Sequence, residues 1–442
     1  MERRSFLKAA ALAGLAVTAP VFTRDAGAAT PYGGPFYIMV NAGGGWDPNF
    51  MFNPTLNKDH NRLYTEIKKV GNIPYAPIPL DLAAMGLDTT TGYESYLMDN
   101  EAFLNKHGAQ LCVLNGVDTS TNNHDAGNRT MWCGRISEGY PALGALIAGV
   151  RAPEKPMAFI SSGGYDATQN IVPLTRVNSV ATLKKIAFPN NVDPNNLAGD
   201  KYHTTDTFSR IAKAQAERIA RLQGGQRLPT IQRSMDGLFL ARVAENELAD
   251  LQIPATLVDL PGNALSDLER MLQQAQLAIA AFKSGLAVAA NVSIGGFDTH
   301  GNHDTNQRRQ LAKLLFGLSF IMDEISANGL ANKVVVLSAS DFGRGPHYNG
   351  TNAASGKDHW SITSFLAMGP GIAGNRVIGG TLEASQKPKN IDPTSLNVVD
   401  GDAGVRLRPE HIHRALRIKA QVAGSQAEKA FPLPGEDLPL FG

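Results

Sequence analysis

The sequence has little that announces a partner through bulk chemistry. Its 442 residues carry 41 Lys and Arg against 40 Asp and Glu, so no charge excess points to nucleic acid or to an acidic substrate. There are two cysteines, Cys112 and Cys133, and no CxxC pair, which argues against a zinc ribbon and a dithiol redox motif. The glycine-rich loop after the first apolar run lacks GxGxxG and carries Asp47, whose charge would repel the pyrophosphate of a dinucleotide. Long hydrophobic runs are scarce too. The N-terminal one, Ala9 to Phe22, falls short of the ~20 residues that span a bilayer, and no other run reaches that length.

What is present begins with Arg3, Arg4, Ser5, Phe6, Leu7 and Lys8, followed by that apolar run and by Ala26, Gly27 and Ala28. This is the pattern of a twin-arginine export signal with cleavage after Ala28 or Ala29. It predicts a signal over residues 1–29, a mature chain over 30–442 that is periplasmic or secreted, and the twin-arginine machinery as a partner. No membrane span is expected after cleavage. Folding before export suits a protein that takes up its cofactor inside the cell. The oxidising destination permits a disulfide between Cys112 and Cys133, while two buried thiols are the other reading, one in a strand and one in a helix.

Short apolar runs that read as buried strands recur at 35–40, 110–117, 156–160, 286–294, 334–337 and 362–368. Between them, spacings of three and four residues predict helices over 122–131, 211–222, 235–251, 265–282, 307–327 and 409–422. The stretch 206–285 reads as a helical insertion packed on the sheet. The strand, loop, helix, strand order over 286–337 is a βαβ unit and implies parallel strands.

Acids and histidines follow several of these strands: Asp47, the cluster from Asp118 to His124, Asp298 with His300, and Asp341. In an open parallel sheet the loops leaving the carboxyl ends converge on one edge, where ligands bind. His359 precedes its strand, so it joins them if the 362–368 strand runs antiparallel or its loop folds over. Carboxylates gathered at one point repel unless a cation neutralises them. Asp47, Asp298, Asp341, His300 and His359 form a mixed oxygen and nitrogen set suited to one or two divalent ions such as zinc, manganese or calcium. Arg344 offers a planar fork for phosphate or sulfate. Thr119, Ser120 and His124 lie at a helix start, a place that suits an anion. His60, His107 and His203 read as surface residues, His411 and His413 as surface or capping residues.

The export signal, GGWD at 44–47, GGFDTH at 295–300, LSASDFGR at 337–344 and the GKDHW loop at 356–360 together resemble the exported domain-of-unknown-function 1501 family. That family is similar in fold to the sulfatases of the alkaline phosphatase superfamily. The resemblance implies an α/β fold: a large, doubly wound, mostly parallel sheet with helices on both faces. It also implies a metal-dependent hydrolase of phosphate or sulfate esters. In that pattern Asp47 is a metal carboxylate, joined by Asp298, His300, Asp341 and His359. Thr119, Ser120 or a metal-activated water is the attacking group, and the substrate is a small anionic ester. Phe342 stands where a two-metal phosphatase commonly has histidine. The rival reading is an envelope protein without catalysis that binds an exported partner or polysaccharide on the same sheet edge.

Overall fold

The computed structural model describes residues 32–155, 157–176, 184–185, 188–193, 196, 198–228 and 257–442. The helix expected at 235–251 and the export signal lie outside these residues. The strands are β1 (Phe36–Ala42), β2 (Lys68–Val70), β3 (Ile73–Tyr75), β4 (Leu111–Asp118), β5 (Phe159–Ser161), β6 (Leu174–Arg176), β7 (Ala289–Ile294), β8 (Val334–Ser340), β9 (Gly343–Tyr348), β10 (Lys357–Trp360), β11 (Ile362–Met368) and β12 (Arg376–Gly379). The helices are α1 (Asn100–His107), α2 (His124–Cys133), α3 (Leu143–Arg151), α4 (Thr205–Gly225), α5 (Ser266–Lys283), α6 (His303–Ala327), α7 (Pro409–Lys419) and α8 (Gln426–Ala430).

Eight strands form one sheet in the order β12-β4-β11-β8-β1-β7-β5-β6. The central pairs β8–β1, β1–β7 and β7–β5 are parallel, and β11 alone among the described strands of this sheet runs against its neighbours. Every residue of β1, β4, β8 and β11 is buried. That explains why apolar residues dominate them: a strand covered on both faces has no solvent side that alternates with the core. The two covers are visible in β1. Phe36 stacks on Phe282 of α5 at 5.0 Å, whereas the Met39 side chain lies against α3 at Gly144. Residues three apart in a strand point to opposite faces, so helices lie on both sides.

α5 follows the expected helical spacing, burying Leu268, Met271, Leu272, Ala275, Ile279 and Phe282. α4 behaves differently: among its described side chains most are exposed and only Ile219 is buried. A second apolar cluster, including Met85, Leu87, Tyr93 and Leu97, packs under α5 and α6 and anchors the loop-rich stretch before α1. Cys112 and Cys133 are free and buried, so the disulfide is absent; burial pushes both thiols up to about 11. His60, His107, His411 and His413 are buried rather than on the surface. Each lies where the core meets a polar atom: His107 Nε2 on Ser319 Oγ at 2.9 Å, His413 Nε2 on the Met131 carbonyl at 2.8 Å. His411 does cap, accepting from the Arg408 N–H.

Register brings the loops together. Ala42 at the end of β1 is level with Ile294 of β7 on one side and Ser340 of β8 on the other. The loops at 43–47, 295–302 and 341–342 therefore leave from one edge. β11 enters from that same edge, because Ile362 pairs with Asp118 at the end of β4. Its antiparallel direction is what lets His359, which precedes it, arrive among loops that follow their strands.

Candidate metal centre

Two close backbone approaches make the edge compact. A Cβ at Gly127 of α2 would fall 2.5 Å from the Asp341 carbonyl oxygen, so a larger residue would push α2, and His124 with it, away from β8. Gly44 has φ +121°, and a Cβ there would meet the Asp298 nitrogen at 2.5 Å. Glycine lets the 43–47 loop cross directly over the start of the next.

On this edge His124, His300 and His359 surround Asp298. His300 Nε2 and His359 Nε2 are 2.9 Å apart, and each lies 3.1 Å from Asp298 Oδ1. His124 Nε2 is 3.5 Å from Asp298 Oδ2. Ligand atoms of His124, Asp298 and His359 all fall within 4.8 Å of one another. The other ring nitrogens are all turned to acceptors. His124 Nδ1 is 2.5 Å from Asp341 Oδ2, His300 Nδ1 is 3.2 Å from Asp358 Oδ1, and His359 Nδ1 is 2.7 Å from the Asn122 carbonyl oxygen. A carbonyl or carboxylate can only accept, so the tautomer inferred for each neutral ring carries its proton on Nδ1 and presents a lone pair from Nε2.

Arg344 already answers the carboxylate, but the lone pairs of the imidazoles facing it repel one another unless a cation sits among them. This arrangement, with the far nitrogen of each histidine held by an outer acceptor, is how proteins orient histidines toward a metal. Neighbouring ligands on a tetrahedral zinc lie ~3.3 Å apart, given Zn–N of ~2.0–2.1 Å, which matches the spacing found here. His124, Asp298 and His359 are the three whose ligand atoms lie close enough together for one such ion. Phe342 forms the apolar floor of the group, its ring centroid 4.4 Å from that of His359 and 4.8 Å from that of His124. The top is open: the side chains of Asp298 and His300 are close to half exposed.

Asp298 also accepts from Arg344 Nη2 at 2.6 Å. Burial pushes its carboxyl up, but the hydrogen bond and the charge of Arg344 outweigh that and hold it at about 2. It is therefore ionised at any physiological pH.

The remaining candidates differ from the sequence expectation. Asp341 does not face the histidine Nε2 atoms: its Oδ1 accepts from the Gly44 N–H and Ser340 Oγ, and its Oδ2 holds His124. Asp47 is enclosed elsewhere, fully buried with Lys357 Nζ at 2.7 Å and His303 Nε2 at 3.0 Å from its Oδ2. The ammonium of Lys357 supplies the positive charge that Asp47 was expected to draw from a metal. Arg344 is no fork for a substrate. Its guanidinium is buried and donates to the carbonyls of Gly44, Gly45 and Lys357 as well as to Asp298, tying two loops to β10. Thr119 is buried with its hydroxyl on the carbonyls of Thr121 and Ser361. With Ser120 it lines a separate cavity behind the 119–123 loop. His347 is exposed and stands beside His60.

Two partners were not singled out from sequence. His303 opens α6 and pairs with Asp47, and the Asn122 carbonyl orients His359. His303 could have been suspected from its place three residues after His300. A backbone carbonyl has no sequence signal.

A mostly parallel α/β sheet with acids and histidines at the carboxyl ends of its strands defines the class of protein. The chain belongs to the family described as "Protein of unknown function (DUF1501)", which it matches over residues 37–398. No curated protein matches it in sequence. Among solved structures it is similar to a 2-O GAG sulfatase at 11% identity, over 91% of this chain and 72% of that one, with a TM-score of 0.32. It is similar to a putative sulfatase from Bacteroides thetaiotaomicron at 11% identity, over 91% and 76%, with a TM-score of 0.31. A protein in the alkaline phosphatase superfamily from Vibrio parahaemolyticus is similar at 9% identity, over 92% and 72%, with a TM-score of 0.31. Among the described residues no helix is long and apolar enough to cross a membrane.

Proposed function

We propose that this chain is an exported, metal-dependent hydrolase of phosphate or sulfate esters, periplasmic or secreted after removal of residues 1–29. The observation that carries the reading is the meeting of His124 and His359 at Asp298, with His300 beside them and each ring fixed from behind by an acceptor. The nitrogen-rich set favours zinc or manganese over calcium, which prefers six to eight oxygens. A divalent ion there supplies Lewis acidity, neutralising charge on an ester oxygen and making water a better nucleophile.

The chain's own residues supply orientation. Asp341 holds the Nδ1 proton of His124, Asn122 that of His359, and Arg344 keeps Asp298 ionised and fixed between two loops. Phe342 excludes water from beneath the rings. The hydroxyls of Thr119 and Ser120 line the cavity behind the loop, so water is the attacking group this arrangement favours.

The second reading, a non-catalytic envelope protein that binds an exported partner or polysaccharide, draws on a specific observation. Asp47 and Arg344, which would make a second metal site and an anion clamp, are both closed into internal pairs. One experiment separates the two. The purified, exported protein is assayed for zinc and manganese per chain, before and after reloading, and then for turnover of aryl phosphate and aryl sulfate esters. About one ion per chain with turnover lost on chelation supports the hydrolase. Bound metal without turnover of any ester favours the binding protein, and no metal even after reloading refutes the metal centre.

A further inference from the structure

A cavity of about 560 Å³ lies behind the loop that carries Asn122, between the C-terminal end of α2, the end of β4, the segment leading into α7 and the chain near residue 435. Its size suits a small molecule rather than a single ion. Three guanidinium groups line it, those of Arg135, Arg406 and Arg408, from two distant parts of the chain. Two are already answered. Arg406 lies 3.3 Å from Asp118 Oδ2, and Arg408 lies 3.7 Å from Glu410.

Arg135 pairs with no carboxylate among the described residues; its guanidinium carbon lies 5.9 Å from the Tyr140 ring centroid, and its Nε is buried without a hydrogen-bond partner. Glu436, a carboxylate that lines the same cavity, is turned to His411 Nε2 at 3.2 Å. A planar donor fork matches a two-oxygen acceptor. Ser120 adds a hydroxyl to the same cavity. Its loop also supplies the Asn122 carbonyl that holds His359, so the cavity and the histidine cluster share one wall.

We propose that this cavity binds the oxyanion group of a small polar molecule, a carboxylate, sulfate or phosphate, with Arg135 as its principal partner and Arg406 and Arg408 flanking it. The site is separate from the histidine cluster and stands whether or not that cluster binds metal.

The test is calorimetric titration of the full mature chain with acetate, sulfate and inorganic phosphate at constant ionic strength, with a chelator present. The expected result is one saturable site for at least one of the three anions, weakened about tenfold or more by Arg135→Ala. Arg406→Ala is expected to weaken it less, because Asp118 already shares that charge. Metal content is expected to be unchanged in both variants. Absence of saturable binding by all three anions, or equal affinity in Arg135→Ala, would overturn the proposal. So would binding seen only without chelator, which places the anion on a metal. If Arg135→Ala fails to fold by circular dichroism, the Arg406→Ala, Arg408→Ala double variant takes its place. There an affinity within about twofold of the original chain overturns the proposal.

Discussion

Replacing Lys357 by Met tests whether Asp47 is an ion-pair partner or a metal ligand. Lys357 and Asp47 are both fully enclosed, 2.7 Å apart, and the ammonium also donates to the His60 carbonyl at 2.6 Å. Burial alone pushes the Asp47 carboxyl up. The Lys357 charge, with the hydrogen bond from His303, brings it down to about 2. A carboxyl lowered on folding stabilises the fold above its unfolded value, and that contribution is lost as pH falls toward the folded one. The drop from 3.8 to about 2, at ~1.4 kcal/mol per unit, is about 2 kcal/mol, present above pH ~4 and gone near pH ~2. Met keeps the length of the side chain and removes the charge, leaving a buried carboxylate with a neutral imidazole and the Asn49 N–H but no cation. The expected cost near neutral pH is about 3–5 kcal/mol.

The pH dependence also reverses. In Lys357→Met the folded chain takes up a proton, on Asp47 or on His303, so that stability falls as pH rises instead of as it falls. Denaturant unfolding followed by tryptophan fluorescence from pH 3 to 8 reads both effects, since Trp46 is buried next to Asp47. The Lys357→Met, Asp47→Asn double variant is expected to recover most of the loss. A cost below about 1 kcal/mol with an unchanged pH profile would refute the buried pair. A variant that gains a tightly bound divalent ion would show that Asp47 can act as a ligand once the ammonium is gone.

Asp341→Asn removes the charge behind His124 while keeping its volume. It is expected to weaken zinc binding about 10–100-fold in a chelator competition, and unchanged affinity would mean that Asp341 does not orient the ring. Thr119→Val and Ser120→Ala are expected to leave ester turnover within about twofold. A loss of several orders of magnitude in either would make that hydroxyl the nucleophile. Arg344→Met removes the donors that tie Gly44, Gly45, Lys357 and Asp298 together. It is expected to cost about 3–5 kcal/mol in unfolding experiments, and a neutral effect would show that the loops hold their positions without it.

The sheet was legible because burial on both faces leaves runs dominated by apolar residues, and β1, β4, β8 and β11 all show one. The βαβ unit around α6 followed from the same runs and from the helical spacing between them. Expectations of surface position failed for His60, His107 and His413, whereas His411 caps as expected, because a lone histidine has the same signature whether it faces water or meets a polar atom in the core. Asp47 and Asp341 were visible as acids after strands. Their partners were not, since Lys357 lies 310 residues from Asp47 and His124 lies 217 residues from Asp341.

By itself, then, the sequence determined which residues could do chemistry at this edge: acids and histidines set in glycine-rich loops after strands too apolar to face water. The tertiary structure alone decided their division of labour. The antiparallel entry of β11 brought His359 to Asp298, and the approach of α2 over Gly127 set Asp341 behind the far nitrogen of His124. The closure of Lys357 onto Asp47 placed a fixed ammonium where a cation had been expected. Charge and donor type are properties of residues, whereas which charge answers which is fixed by register and packing.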